Sequence, residues 1–128
     1  VANKKFNLER AVSFNIKSSF SALPDRFPTE VIIWGAGSIS KKLIENYSLE
    51  IPFFISGLKE EDGRQLLGKT VFFYKSLKNK SISDVLITVE NLELSILALI
   101  RHHLKVKSVF YTKVEHLAGC RRYSIEKL

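Results

Sequence analysis

Apolar residues along this chain alternate between short concentrated runs and stretches in which they recur with helical spacing. The runs lie at 31–34, 51–55, 71–74, 84–89 and 106–111 and predict five strands. The first is continuous and suits a strand buried on both faces, and Val85, Leu86 and Ile87 in the fourth again suggest a central position. Pro52 falls at the start of the second run, where its missing amide does least harm. Ile39, Leu43, Ile44 and Tyr47 predict a helix over 38–47, and Leu92, Ile96, Leu99 and Ile100 predict another over 92–104. A further apolar stripe, Leu8, Ala11, Val12, Ile16, Phe20 and Leu23, predicts a helix over 8–23 that stops at Pro24. Residues 56–69 read as a polar loop and 75–80 as a brief helical turn. From Thr112 onward the pattern is a tail with a turn at Gly119 and a candidate terminal helix.

Strands separated by helices predict an α/β fold: an open, mostly parallel five-stranded sheet of order 3-2-1-4-5 with flanking helices. The expected organisation is an N-terminal helix and connector over 1–28, the sheet domain over 29–111, and a C-terminal tail over 112–128. That strand order places a topological switch between the first and fourth strands. The turns after those strands would then flank a crevice.

The first strand runs through Trp34-Gly35-Ala36-Gly37-Ser38 into a helix, the context in which backbone amides and a helix N-terminus meet a phosphate. Gly35 permits the tight turn, and Gly37 lets the backbone approach an anion closely. Ala36 and Ile39 complete the candidate turn, and Ser38 can cap the helix or offer its hydroxyl. The same glycines also suit a turn that needs them for geometry alone. At the end of the second strand Ser56 is the candidate contact to a sugar or base. Glu90 and Asn91 hold that position after the fourth strand, where Asn91 also suits a helix N-cap. An NAD site would place a carboxylate at the end of the second strand. Here that stretch is Phe54-Ile55-Ser56-Gly57, and the first acid is Glu60, so NAD is disfavoured.

A net charge of +7 favours an anionic partner such as a phosphorylated small molecule. The basic residues are dispersed and the aromatics sit in apolar runs, so nucleic acid is disfavoured. Cys120 is the only cysteine, which excludes a disulfide framework and fits a cytoplasmic setting. His102 and His103 point to different sides of a helix and His116 stands apart in sequence, so no metal site is expected. Glu60, Glu61 and Asp62 read as solvated loop carboxylates. No nucleophile elbow or Walker lysine is present, and no catalysis is expected from these 128 residues themselves. The apolar stretch over 94–100 is too short to span a bilayer. A chain that starts at Val1 and lacks methionine is expected to be a piece of a longer protein, with any catalytic domain elsewhere.

From 31 to 111 the order of motifs resembles Rossmann-like domains found at the front of bacterial sugar O- and N-acyltransferases. Related domains precede the catalytic domain of polysaccharide-biosynthesis sugar-nucleotide dehydratases. The resemblance rests on the Gly35–Ser38 turn, Phe53-Phe54-Ile55-Ser56, Leu67-Gly68-Lys69-Thr70-Val71-Phe72, Ser76-Leu77-Lys78 and Asp84-Val85-Leu86-Ile87-Thr88-Val89. It implies a non-catalytic domain that binds a nucleotide or nucleotide sugar in glycan biosynthesis. Two departures lie at the crevice: Ser56-Gly57-Leu58 replaces the family's acidic cluster, and Glu90-Asn91 replaces a small-residue turn. The competing expectation is a degenerate module of the same kind, with a regulatory or assembly role and no ligand.

Overall fold

The computed structural model describes residues 17–77, 81–90 and 92–128. In chain order the elements are β1 (Lys17–Phe20), β2 (Ile32–Trp34), α1 (Ser38–Tyr47), β3 (Phe54–Ser56), β4 (Gln65–Leu66) and β5 (Lys69–Phe73). They continue as β6 (Ser81–Ile87), α2 (Glu93–His103), β7 (Lys105–Leu117) and β8 (Cys120–Lys127). All eight strands form one sheet in the order β1-β8-β7-β6-β2-β3-β5-β4. Strands β7, β6, β2, β3 and β5 are mutually parallel. β8 runs antiparallel to β7, and β4 runs antiparallel to β5.

This architecture corrects the five-stranded Rossmann-like α/β expectation. The sheet is mixed, has eight strands, and is accompanied by only two short helices among the described residues. Among the described residues, two of the inner connections carry no α-helix. The chain passes from β3 to β5 through a 3-10 turn at Lys59–Glu61 and the short strand β4, and leaves β5 through a second 3-10 turn at Tyr74–Ser76.

The largest differences lie at the two ends of the chain. The tail read as a candidate helix is instead the second half of β7, a turn at Gly119, and β8. Its alternation supplies the reason. Tyr123 and Ile125 are buried, while Arg122 is exposed and Ser124 and Glu126 are half-buried, which is the two-residue period of a strand covered on one face. Gly119 turns the hairpin with φ +68. At the other end, 17–20 is β1, paired parallel to β8, where a helix over 8–23 was expected; 8–16 lies outside the described residues. The helical spacing of Phe20 and Leu23 does not survive the backbone pairing and ring contacts offered by β8. Phe20 stacks on Tyr123 at 5.3 Å and meets Tyr47 of α1 edge-on at 5.9 Å. The Tyr47 hydroxyl donates to the Ser21 carbonyl, and burial raises its pKa above the ordinary value.

The core divides by sheet face. Val31, Ile33, Phe54, Leu86 and Phe110 pack with Leu43 of α1 on one side. Ile32, Trp34, Ile55, Val85 and Ile87 pack with Ile96 and Ile100 of α2 on the other. β2 is buried on both faces because each side carries its own helix. The chain leaves β2 through α1 toward β3 on one side, and β6 lies on the other. The carboxyl ends of β2 and β6 therefore flank a crevice.

A tie between β7 and β8 reports on this edge of the sheet. The Tyr111 hydroxyl donates to the Glu126 carboxylate. That hydrogen bond, then burial, then the charges of Glu126 and Glu93 raise the Tyr111 pKa above 10.0. Because the folded state holds this proton more tightly than the unfolded chain does, the associated stability is complete below pH 10 and is lost as pH rises through the raised value. Glu126→Gln is expected to lower the midpoint of the Tyr111 ring signals in an NMR pH titration. An unchanged midpoint would refute the assignment.

Candidate functional site

Three loops meet at the carboxyl ends of the parallel strands: 35–37 after β2, 57–58 after β3, and 88–90 after β6. They are held together by a hydroxyl contact. Ser40, in the first turn of α1, donates its hydroxyl to the Gly35 carbonyl at 2.7 Å and lies 2.8 Å from the Thr88 hydroxyl. The Thr88 hydroxyl is also 3.1 Å from the Trp34 carbonyl, which receives the Thr88 amide at 3.0 Å. Two hydroxyl protons must serve three contacts. The arrangement that leaves no group unmet has Ser40 donating to Gly35 and Thr88 donating to Ser40. Both side chains are buried, so this link joins β2, α1 and β6 away from water.

The glycines divide their work. Gly35 has φ +130, and a Cβ there would stand 2.2 Å from the Thr88 hydroxyl oxygen. No side chain fits at that position. Gly37 is extended at φ −109 and ψ −165, and a Cβ there would meet nothing within 4 Å. Gly37 is the N-cap residue of α1, no side chain caps the helix, and its first turn contains no acid. The first-turn amides therefore open toward a cleft of about 250 Å³. Gly35, Ala36, Gly37, Ser38 and Ile39 line it from one side, and Thr88, Val89 and Glu90 from the other.

A second cleft, of about 310 Å³, shares Gly35, Ala36 and Val89 with the first. Its walls are largely apolar: Trp34 from β2, Leu58 from the loop after β3, and Leu92, Ile96 and Leu99 from α2 and its approach. Leu58 and Leu92 are 58% and 50% exposed, an apolar rim open to solvent. Ser56 lines this cleft, but its hydroxyl is already engaged. It donates to Glu61 at 2.8 Å and accepts the Leu58 amide at 3.0 Å. The other Glu61 oxygen receives Arg64 at 2.9 Å.

The sequence-predicted residues thus separate into two neighbouring clefts. Gly35 through Ile39 and Glu90 share the first, and Ser56 belongs to the second; Asn91 lies outside the described residues. Glu90 does not stand alone, since its carboxylate lies 2.9 Å from Nε2 of His116 on β7. Four contributors were missed. Thr88 could have been found as a polar residue closing an apolar run. Glu61 lies in a loop that the fold brings back to Ser56, and Ser40 and His116 act through partners distant in sequence. Among the described residues no group of His, Cys, Asp or Glu could hold a metal ion, and no helix is long and apolar enough to cross a membrane.

Substitutions separate the two glycines. Gly35→Ala is expected to cost about 3 kcal/mol or more, from the clash and the positive φ, whereas Gly37→Ala costs under about 1 kcal/mol. Urea denaturation measures both, and equal losses would overturn the division of roles. Thr88→Val, by taking a partner from the buried Ser40 hydroxyl, is expected to lose about 1–2 kcal/mol in the same assay. Thr88→Ser should retain most of that stability. An undiminished valine variant would remove the hydroxyl link from the account. No protein-family model matches this chain, and neither a curated protein nor a solved structure matches it.

Proposed function

We propose that this chain binds a phosphorylated small molecule of the nucleotide class, with no chemistry of its own at this site. One observation carries the reading: the two clefts adjoin, one opening on the uncapped N-terminus of α1 and the other walled by Trp34 and aliphatic side chains. A phosphate would lie against the amides of 38–40, where the helix dipole favours negative charge. A base or sugar would enter the apolar cleft, with the Glu61 carboxylate at its edge as a fixed hydrogen-bond acceptor. Together the clefts reach the size of small-ligand sites, about 300–1,000 Å³. Glu90 opposes an anion in the first cleft, and its contact with His116 offsets that charge when the imidazole is protonated. A nucleotide sugar is the member of the class to which the sequence resemblance points, and the single cysteine suits a reducing, cytoplasmic setting.

The competing reading, a module without a ligand and with a regulatory or assembly role, is favoured by Gly35, whose identity the Thr88 contact already explains. Calorimetric titration with a uridine-diphosphate sugar, NAD(H) and coenzyme A tests both. At least one is expected to bind, and Gly37→Asp is expected to weaken binding roughly tenfold by placing a carboxylate where the phosphate would sit. That same aspartate caps α1, so stability should hold or rise by about a few tenths of a kcal/mol. Failure of all the ligands to bind at about millimolar concentration would sink the binding reading.

A further inference from the structure

We infer that a second surface, at the opposite end of the sheet, docks an acidic peptide segment of a partner protein that carries aliphatic residues between its carboxylates. A cavity of about 750 Å³ forms a broad groove between α2 and the first residues of β6 and β7. Ile82 and Ser83 open β6, and 105–109 opens β7, so the groove lies at the amino ends of the strands. The clefts of the first site lie at their carboxyl ends, and nothing in this inference depends on them.

The groove has an apolar floor and a basic rim. Ile82, Ile100 and Leu104 are buried and seal the floor, with Leu97 and Val106 beside them. Arg101, Lys105, Lys107 and Lys127 line the groove and are exposed, and no acidic residue lines it among those described. The nearest acids in sequence are turned to hydroxyls: Asp84 receives Ser108, and Glu126 receives Tyr111. Among the described residues none of the four cations has an ion pair. A lysine alone on a strand is an ordinary solvated group, and Arg101 suits the last turn of α2. Lysines also protect sheet edges, and Lys105 and Lys107 suit that role because β8 joins β7 only from Phe110 onward; it does not account for Arg101 on α2 or Lys127 on β8. Four cations converging on one apolar trough therefore call for a partner of opposite charge.

The chemistry narrows that partner. The floor is aliphatic and offers no ring on which a nucleic acid base could stack. A peptide with alternating acidic and aliphatic side chains meets both the rim and the floor.

The test titrates the protein against a fluorescein-labelled peptide of alternating glutamate and leucine, read by anisotropy. Lys105→Gln with Lys107→Gln is expected to weaken binding roughly tenfold, and added salt should weaken it further. Arg121→Gln with Arg122→Gln removes the same charge from β8 outside the groove and should leave binding unchanged. No binding, or equal weakening by both pairs, would overturn the inference. So would tighter binding of an oligothymidine or of phosphatidylserine vesicles through the same lysines. Should the lysine variant fail to fold, amide NMR shifts of the unsubstituted protein decide the matter. Peptide-induced shifts concentrated at 82–83, 100–101 and 104–109 support the groove, and shifts concentrated elsewhere refute it.

Discussion

The tightest constraint in this protein is the close approach of Thr88 to the Gly35 backbone. A Cβ at Gly35 would stand only 2.2 Å from the Thr88 hydroxyl oxygen, so the loops after β2 and β6 approach one another closely enough to admit no side chain at 35. Ser40 then bonds to both partners and fixes the first turn of α1 against the end of the sheet. The direction in which the α1 amides point, and the shape of both clefts, follow from that contact. A buried hydroxyl pair is also demanding, because each member left without its partner carries a desolvation cost.

Burial on both faces of the central strands is the second constraint. Val31 through Trp34 alternate between two separate cores, one under α1 and one under α2. Because β2 is three residues long and wholly buried, it has little freedom of register. The loops that follow it inherit that rigidity. A site built at the end of such a strand needs little reorganisation on binding.

The interior of the fold was legible in the sequence, and its margins were not. Runs such as Val85-Leu86-Ile87 between turn signals suit strands with both faces covered, and the stripe through Leu43 suits a helix packed on a sheet. The ends obey weaker local rules. Three apolar positions from Ile16 to Leu23 fit a helix, yet a four-residue strand forms because β8 lies beside it. Tyr123 and Ile125 alternate over too short a span to outweigh a helical reading of the tail. The class was misread for that reason, since the added strands turn a small parallel sheet into a mixed one. In the site, the turn at Gly35 announces itself through strand, glycine and helix in succession. The Glu61–Ser56 and Glu90–His116 contacts leave no such trace, because a loop and a distant strand supply one partner of each.

The pairing of β1 with β8 has a consequence for the history of the chain. Its register joins Lys17 to Cys120, so β1 has no strand to join until nearly all of the described chain after it has emerged. The β7–β8 hairpin closes locally around Gly119, whereas β1 must wait for the slowest kind of closure, between segments far apart in sequence. Until then Phe20 and its unpaired backbone are open to other chains. The aromatic stack on Tyr123 thus ends a period of vulnerability as well as completing a sheet.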